Sequence, residues 1–231
     1  TMPPLNTLVN GLSMPSRLPP DTFMPISFAA TCLRALLYIL LVAAIAQGVY
    51  YEALYLPEAR FSERGVTELA QTSLLALATL LLLYVRVGLR VMPQVSLLLL
   101  AFVASSLIRE QDALLDARVF DGAWQLLVAL IILPTLFNVI RRRRAFVEQF
   151  AAYANSLSFG LFAAGFLTTY VFSRLYGRQD FWRAVLQENY VRDFKSAAEE
   201  VVELFGYALI LIAMVELVLL ARRWSLARRD R

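Results

Sequence analysis

The sequence predicts an all-α, polytopic membrane protein, a bundle of six transmembrane helices with both termini in the cytoplasm. Apolar residues make up 59% of the chain and charged residues only 17%, a balance typical of membrane proteins rather than soluble domains. The apolar residues gather in six runs, each close to the roughly 20 residues that a helix needs to cross a bilayer. Each run must be helical, because lipid offers no hydrogen-bond partner to an open strand edge.

The six runs define three segments of the chain. A Pro-rich arm, residues 1–26, precedes the six-helix domain, residues 27–221, and a basic cytoplasmic tail, residues 222–231, follows it. We expect the arm to be irregular or extended, because proline breaks helices, and we do not expect it to be a signal peptide. The third run is short and has Pro93 near its start. The predicted spans are residues 27–49, 66–85, 91–108, 123–140, 157–175 and 198–221.

Arginine orients these spans. Connections rich in arginine stay in the cytoplasm, and such connections alternate along the chain: 86–90, 141–144 and 222–231. The predominance of arginine and the single lysine, Lys195, favour a bacterial inner membrane. Clusters this close to the spans suit anionic lipid headgroups rather than nucleic acid. The predicted lipid contacts are Arg141, Arg142, Arg143, Arg144, Arg222 and Arg223.

The composition excludes several classes of chemistry. The sequence has no histidine, and Cys32 is its only cysteine. A disulfide within the chain is therefore impossible, and zinc, haem and iron–sulfur clusters lack their usual ligands. A Ser-His-Asp triad or a histidine base is excluded as well. The sequence assigns no catalytic residue, and enzymatic activity stays open.

Acidic residues gather where three spans end, and the predicted topology places all three ends on the outer side. Carboxylate and amide oxygens at the mouth of a bundle suit a hard divalent cation such as Ca²⁺ or Mg²⁺, or a polar ligand. Glu68 and Glu203 are the candidate metal ligands, because ionisable residues inside a span are functional candidates by default. The predicted site comprises Glu68, Gln71, Glu110, Asp112, Asp116, Glu199, Glu200 and Glu203.

A structural interpretation competes with this site. Arg64, Arg109 and Arg174 lie near the same ends and would neutralise the acids. Acids at the start of a helix also interact favourably with its dipole. The sequence leaves both interpretations open.

Two charged residues lie inside spans near the opposite, cytoplasmic ends. Arg34 in the first span and Glu216 in the last reach a similar depth, so we predict an intramembrane ion pair that pins the two helices together. Pairing is expected because a lone buried charge is costly. The alternative is a part in ion or proton passage, which charged residues inside spans often have.

Two of the connections are predicted to contain short helices, and the fifth span is predicted to pack closely against a neighbour. Residues 145–156 form either a helix at the cytoplasmic interface, which we favour, or an inward extension of the fifth span. Apolar residues spaced by three or four within 176–196 predict a short amphipathic helix on the outer surface. Small residues in the fifth span, among them Ser158, Gly160, Gly165 and Thr169, allow close helix packing.

Three functions are consistent with these patterns. We favour a structural or accessory subunit of a membrane assembly, bound to other membrane subunits or to copies of itself and to membrane lipids. A protein that binds a divalent cation or a polar lipid through the outer carboxylates, with or without catalysis, is the first alternative. A small transporter or channel is the second, with intramembrane charges along its pathway.

Overall fold

The structure is a computed structural model that describes residues 27–56 and 65–229. Every regular element in these ranges is helical, which confirms the predicted all-α class. The chain divides into two compact units, Thr1–Tyr38 and Ile39–Arg231. The predicted arm, residues 1–26, lies outside the described residues.

The helices follow the six apolar runs and add short helices between them. A π-helical segment, Tyr84–Leu89, prolongs the second helix; another, Leu167–Phe172, joins the seventh to the eighth. A 3₁₀ turn covers Gln187–Asn189. In chain order the α-helices are α1 (Phe28–Tyr55), α2 (Val66–Leu83), α3 (Pro93–Arg109), α4 (Asp112–Arg118), α5 (Ala123–Arg141), α6 (Arg143–Ala154), α7 (Leu157–Phe166), α8 (Ser173–Tyr176), α9 (Gln179–Leu186) and α10 (Arg192–Arg229).

Several of these helices are long and apolar enough to cross a membrane, so the chain is a multi-pass membrane protein. Four such helices lie in the described residues, Phe28–Tyr55, Val66–Leu89, Ala123–Arg141 and Arg192–Ala227. A fifth results if the bent pair Arg143–Ala154 and Leu157–Tyr176 counts as one span. Helix α3 is apolar but has only 17 residues. The count of six spans and the position of the termini stay predictions.

Helix α10 forms the centre of the core in the second unit. It packs against α2 on one side and α7 on another, and its side chains at Leu204, Ile210 and Leu217 are buried. It runs without a break from Arg192 to Arg229. The predicted tail therefore continues the last helix as far as Arg229.

Helices α7 and α10 cross at two glycines. A Cβ atom added to Gly165 would lie 2.8 Å from the carbonyl oxygen of Gly206, and one added to Gly206 would overlap the Thr169 hydroxyl. Near the same crossing, Ser158 donates a 2.8 Å hydrogen bond to the carbonyl of Ala213. Small residues on α7 thus allow this close contact, as the sequence predicts.

Helix α6 turns away from α7 by 94°. The bend argues against a straight extension of the fifth span and favours the interfacial alternative. The Gln149 side chain of α6 accepts hydrogen bonds from the backbone N–H groups of Gln94 and Val95, at 2.8 and 3.4 Å. It therefore caps the first turn of α3.

The connection between α8 and α10 contains the predicted amphipathic helix as α9. Trp182 of α9 is buried and donates a 2.6 Å hydrogen bond to the carbonyl of Tyr176. Its ring contacts Phe194 edge to face, with centroids 4.7 Å apart. Val185 on the same helix is exposed, so α9 has one packed side and one open side.

Candidate functional site

The start of α2, the end of α3 and the first part of α10 meet at one end of the second unit, which we call the acidic end. Gln71 of α2 donates to the carbonyl of Glu200 on α10 at 3.1 Å. Tyr207 of α10 donates to Glu110 at the end of α3 at 2.7 Å. The structure therefore brings together side chains from all three sequence segments. The predicted site residues at this end are Glu68, Gln71, Glu110, Glu199, Glu200 and Glu203.

Arg109 is the centre of a hydrogen-bonded network at the acidic end. Its guanidinium lies 2.8 Å from the Glu110 carboxylate and 3.6 Å from that of Glu203. It also donates to the Tyr207 hydroxyl at 3.1 Å and lies over the ring of Tyr170, 5.6 Å from the centroid. These contacts satisfy a guanidinium that would otherwise be costly to bury.

Glu203 is held between two arginines. Arg174 forms an ion pair with Oε1 of Glu203, whereas Arg109 lies beside Oε2, and the Ser173 hydroxyl donates to Oε1 at 3.2 Å. Arg174 also pairs with Glu199 at 3.6 Å, and Lys195 pairs with Glu199 at 3.0 Å. Glu203, Glu199 and Glu110 thus each have a cation beside them, which is the arrangement that the structural interpretation expects. Arg64 lies outside the described residues.

The π-helical segment Leu167–Phe172 positions the polar groups that face this network. A π segment inside a helix shifts the following side chains around the axis, and such segments are frequent at functional sites. Here the Tyr170 hydroxyl lies 2.5 Å from that of Ser106 on α3. Thr169 approaches the Glu203 carbonyl at 3.4 Å. Sequence periodicity does not reveal this shift.

Glu200 has a different environment from Glu203. The strongest charges acting on its carboxylate are those of Glu68 and Glu52, followed by Glu203 and Glu199. Within the described ranges, 27–56 and 65–229, its carboxylate has no hydrogen bond or ion pair to a cation. Glu200 thus lies among like charges and is only half-buried.

Glu52 belongs to the acidic end although the sequence does not predict it. It lies beyond the predicted end of the first span, because α1 continues past residue 49 to Tyr55. Its side chain is fully buried and accepts 2.6 Å hydrogen bonds from both the N–H and the hydroxyl of Thr67. The tyrosines that follow the apolar run, at 50, 51 and 55, are the sequence signal for a longer helix.

Asp112 and Asp116 have local partners. The Asp112 carboxylate accepts from the N–H of Ala113 at 2.6 Å, and that of Asp116 from the N–H of Gly122 at 3.0 Å. Both contacts hold the short helix α4 and the turn after it. Among the residues that the structure describes, no three acidic side chains form a group that could hold a metal ion. The divalent cation at Glu68 and Glu203 stays a prediction.

The remaining predicted residues lie away from the acidic end. Arg34 belongs to the first unit, where its Nε donates to the Ala30 carbonyl at 3.4 Å, and Glu216 is buried in α10 of the second unit; their ion pair stays a prediction. Arg222 donates to the Tyr84 hydroxyl at 3.3 Å. The other predicted lipid contacts, Arg141, Arg142, Arg143, Arg144 and Arg223, are exposed.

No known protein family, curated protein or solved structure matches the chain. The functional conclusion therefore rests on the side chains of the acidic end.

Proposed function

We propose that the protein binds a polar lipid with an amine headgroup at the acidic end, with Glu200 as the main contact of the ammonium group. The environment of Glu200 carries this proposal. Its neighbour Glu203 has two arginine partners, whereas no cation among the described residues forms an ion pair with Glu200. A bound cation would supply a partner for the Glu200 carboxylate.

An ammonium group fits these carboxylates better than a divalent metal does. A metal requires several oxygens converging at about 2.0–2.6 Å. An ammonium has three donors that reach separate acceptors, so it needs no convergent shell. Glu200 supplies the direct contact.

The proposal includes the orientation of the chain. Six spans with both termini in the cytoplasm place the acidic end in the outer leaflet of a bacterial inner membrane, where it would meet lipid headgroups. The exposed tyrosines 50, 51 and 55 at this end of α1 support a position at the membrane interface, where amphipathic rings gather.

Native mass spectrometry with defined lipids tests the proposal. We expect the wild type to retain phosphatidylethanolamine in preference to phosphatidylglycerol with the same acyl chains. Glu200→Gln should weaken retention about tenfold, since one charge-assisted hydrogen bond contributes about 1.5 kcal/mol. Glu188→Gln, an exposed acid on the α9–α10 connection, is the matched control. Equal retention of the two lipids by the wild type would overturn the proposal.

The same spectra address the other functions. Stabilisation by Ca²⁺ or Mg²⁺ that EDTA removes and Glu200→Gln abolishes, without preference between the lipids, would replace the amine by a divalent cation. Additional protein chains in the native mass would support the accessory-subunit prediction. The transporter prediction requires a flux in proteoliposomes that depends on Glu216.

A further inference from the structure

A groove opens on the second unit beside the acidic end, between α1, α2 and α10. Its volume is about 210 Å³. Ala44 and Gly48 of α1 form one wall, Val66 and Ala70 of α2 the other, and Leu204 of α10 the floor. A completely apolar cavity of about 150 Å³ in another protein stays dry and takes up an apolar guest. This groove has the same chemistry over most of its surface.

Small residues on α1 create the groove. Ala44 and Gly48 are four residues apart and therefore share one face of the helix. A Cβ atom added to Gly48 would already lie 3.4 Å from Cγ1 of Val66. A large side chain at residue 48 would thus project into the space between α1 and α2.

The one polar residue of the lining is satisfied within the protein. Thr67 uses its hydroxyl and its N–H to bond Glu52, each at 2.6 Å. A guest in the groove therefore meets no unpaired donor from Thr67, and water gains little there.

The groove leads to Glu200. Glu200 precedes Leu204 by four residues on α10, so the two side chains lie on the same face, one turn apart. Gln71 bonds the Glu200 carbonyl at 3.1 Å, one residue after Ala70 in the groove wall. The apolar groove thus lies one turn of α10 from Glu200, which is the arrangement that an amphiphile with a cationic headgroup would match.

We infer that the groove holds one acyl chain of the same amine lipid whose headgroup contacts Glu200. This inference rests on the proposed function and adds that the chain, as well as the headgroup, is recognised. Val66 and Leu204 contact the chain near the headgroup, Ala44 contacts it deeper in the groove, and Gly48 sets the width that admits it.

Photo-crosslinking tests the inference. The probe is phosphatidylethanolamine with a diazirine on one acyl chain, added to the full-length protein in nanodiscs. We expect crosslinks to concentrate in the peptides that contain residues 44–49 and 66–70. Gly48→Leu should reduce their yield about tenfold, equivalent to roughly 1.4 kcal/mol of lost binding. Ala46→Leu, at an exposed α1 position outside the lining, should leave the yield unchanged.

The two proposals fail in different ways. If Glu200→Gln reduces lipid retention but crosslinks are spread evenly over all apolar surfaces and ignore Gly48→Leu, the headgroup site stands and the groove inference is overturned. A crosslinked second copy of the chain at the same peptides would also overturn it. If Gly48→Leu unfolds the protein, Gly48→Val and Ala44→Val give a graded filling, and an unchanged crosslink pattern in both would again contradict the inference.

Discussion

Glu200 and Glu203 lie three residues apart on α10 and have opposite electrostatic environments. Arg109 and Arg174 neutralise Glu203, whereas no cation in the described part of the chain forms an ion pair with Glu200. Their substitutions should therefore have opposite effects on the free energy of unfolding. Breaking a buried ion pair leaves an uncompensated charge, while removing one of several like charges relieves repulsion.

We predict that Glu203→Gln destabilises the protein by about 3 kcal/mol, because the two arginines lose their shared partner. Glu200→Gln should leave the melting temperature in detergent unchanged or raise it. Thermal denaturation without added lipid measures both, and Glu188→Gln provides the baseline. Equal destabilisation by the two substitutions would mean that Glu200 has a stabilising partner and would count against its role as a ligand contact.

Gly165 and Gly160 lie on the same helix, α7, but differ in the space around them. A Cβ atom at Gly165 would lie 2.8 Å from the Gly206 carbonyl oxygen and 2.8 Å from Ile210, whereas a Cβ atom at Gly160 meets nothing within 4 Å. We predict that Gly165→Ala destabilises the protein by roughly 1–3 kcal/mol because overpacking forces α7 and α10 apart. Gly160→Ala should be neutral or stabilising by up to about 1 kcal/mol, since alanine favours helix. Urea-dependent unfolding in detergent compares the two, and a similar loss for both would contradict the crossing.

Gln149 links two helices that are far apart in sequence. Its side chain is the acceptor for the first N–H groups of α3, which have no carbonyl partner within their own helix. We predict that Gln149→Ala costs about 1 kcal/mol, the usual cost of a lost N-terminal cap. Glu148→Ala, at the exposed neighbouring position, should have little effect. Hydrogen exchange of the backbone N–H groups of Gln94 and Val95 is the direct measurement. If Gln149→Ala leaves their protection unchanged, Gln149 is not the cap of α3.

Apolar periodicity predicts the long helices well, but not their ends or their irregular turns. The first helix continues to Tyr55 and includes Glu52, because a polar side chain with a buried partner at Thr67 does not interrupt a helix. The 94° turn before α7 depends on tertiary packing of α6 against α3. No pattern of hydrophobicity encodes that contact.

At the acidic end, too, the sequence predicts only part of the arrangement. Sequence spacing predicts that Glu199, Glu203 and Tyr207 share a face of α10, and Arg109 does contact Glu203 and Tyr207 together. Spacing does not tell which acids have cations beside them. That distinction depends on the direction of the Arg174 side chain, which follows the π segment and pairs with Glu199 and Glu203 but not with Glu200.

At the scale of the whole molecule, the proposals require the acidic end to face the outer leaflet. In that topology the acidic end would lie on the side opposite to the arginine-rich connections, and the charge of the chain would be separated across the membrane. The predicted topology requires α3 to cross, although the helix has 17 residues and a typical span needs roughly 20. Helix α3 packs against α2 and α5.

Single cysteines test the topology in a Cys32→Ser background. We predict that a membrane-impermeant maleimide labels Asp121→Cys and Glu188→Cys in intact spheroplasts, and labels Val87→Cys and Asn155→Cys only after permeabilisation. All four positions are exposed, so access to the reagent reports the side of the membrane, and Cys32→Ser without a new cysteine is the control. The pair Val87 and Asp121 flanks α3: equal labelling of both would show that α3 does not cross. Reversed labelling of all four would place the acidic end in the cytoplasm, where the same carboxylates would meet inner-leaflet lipid instead.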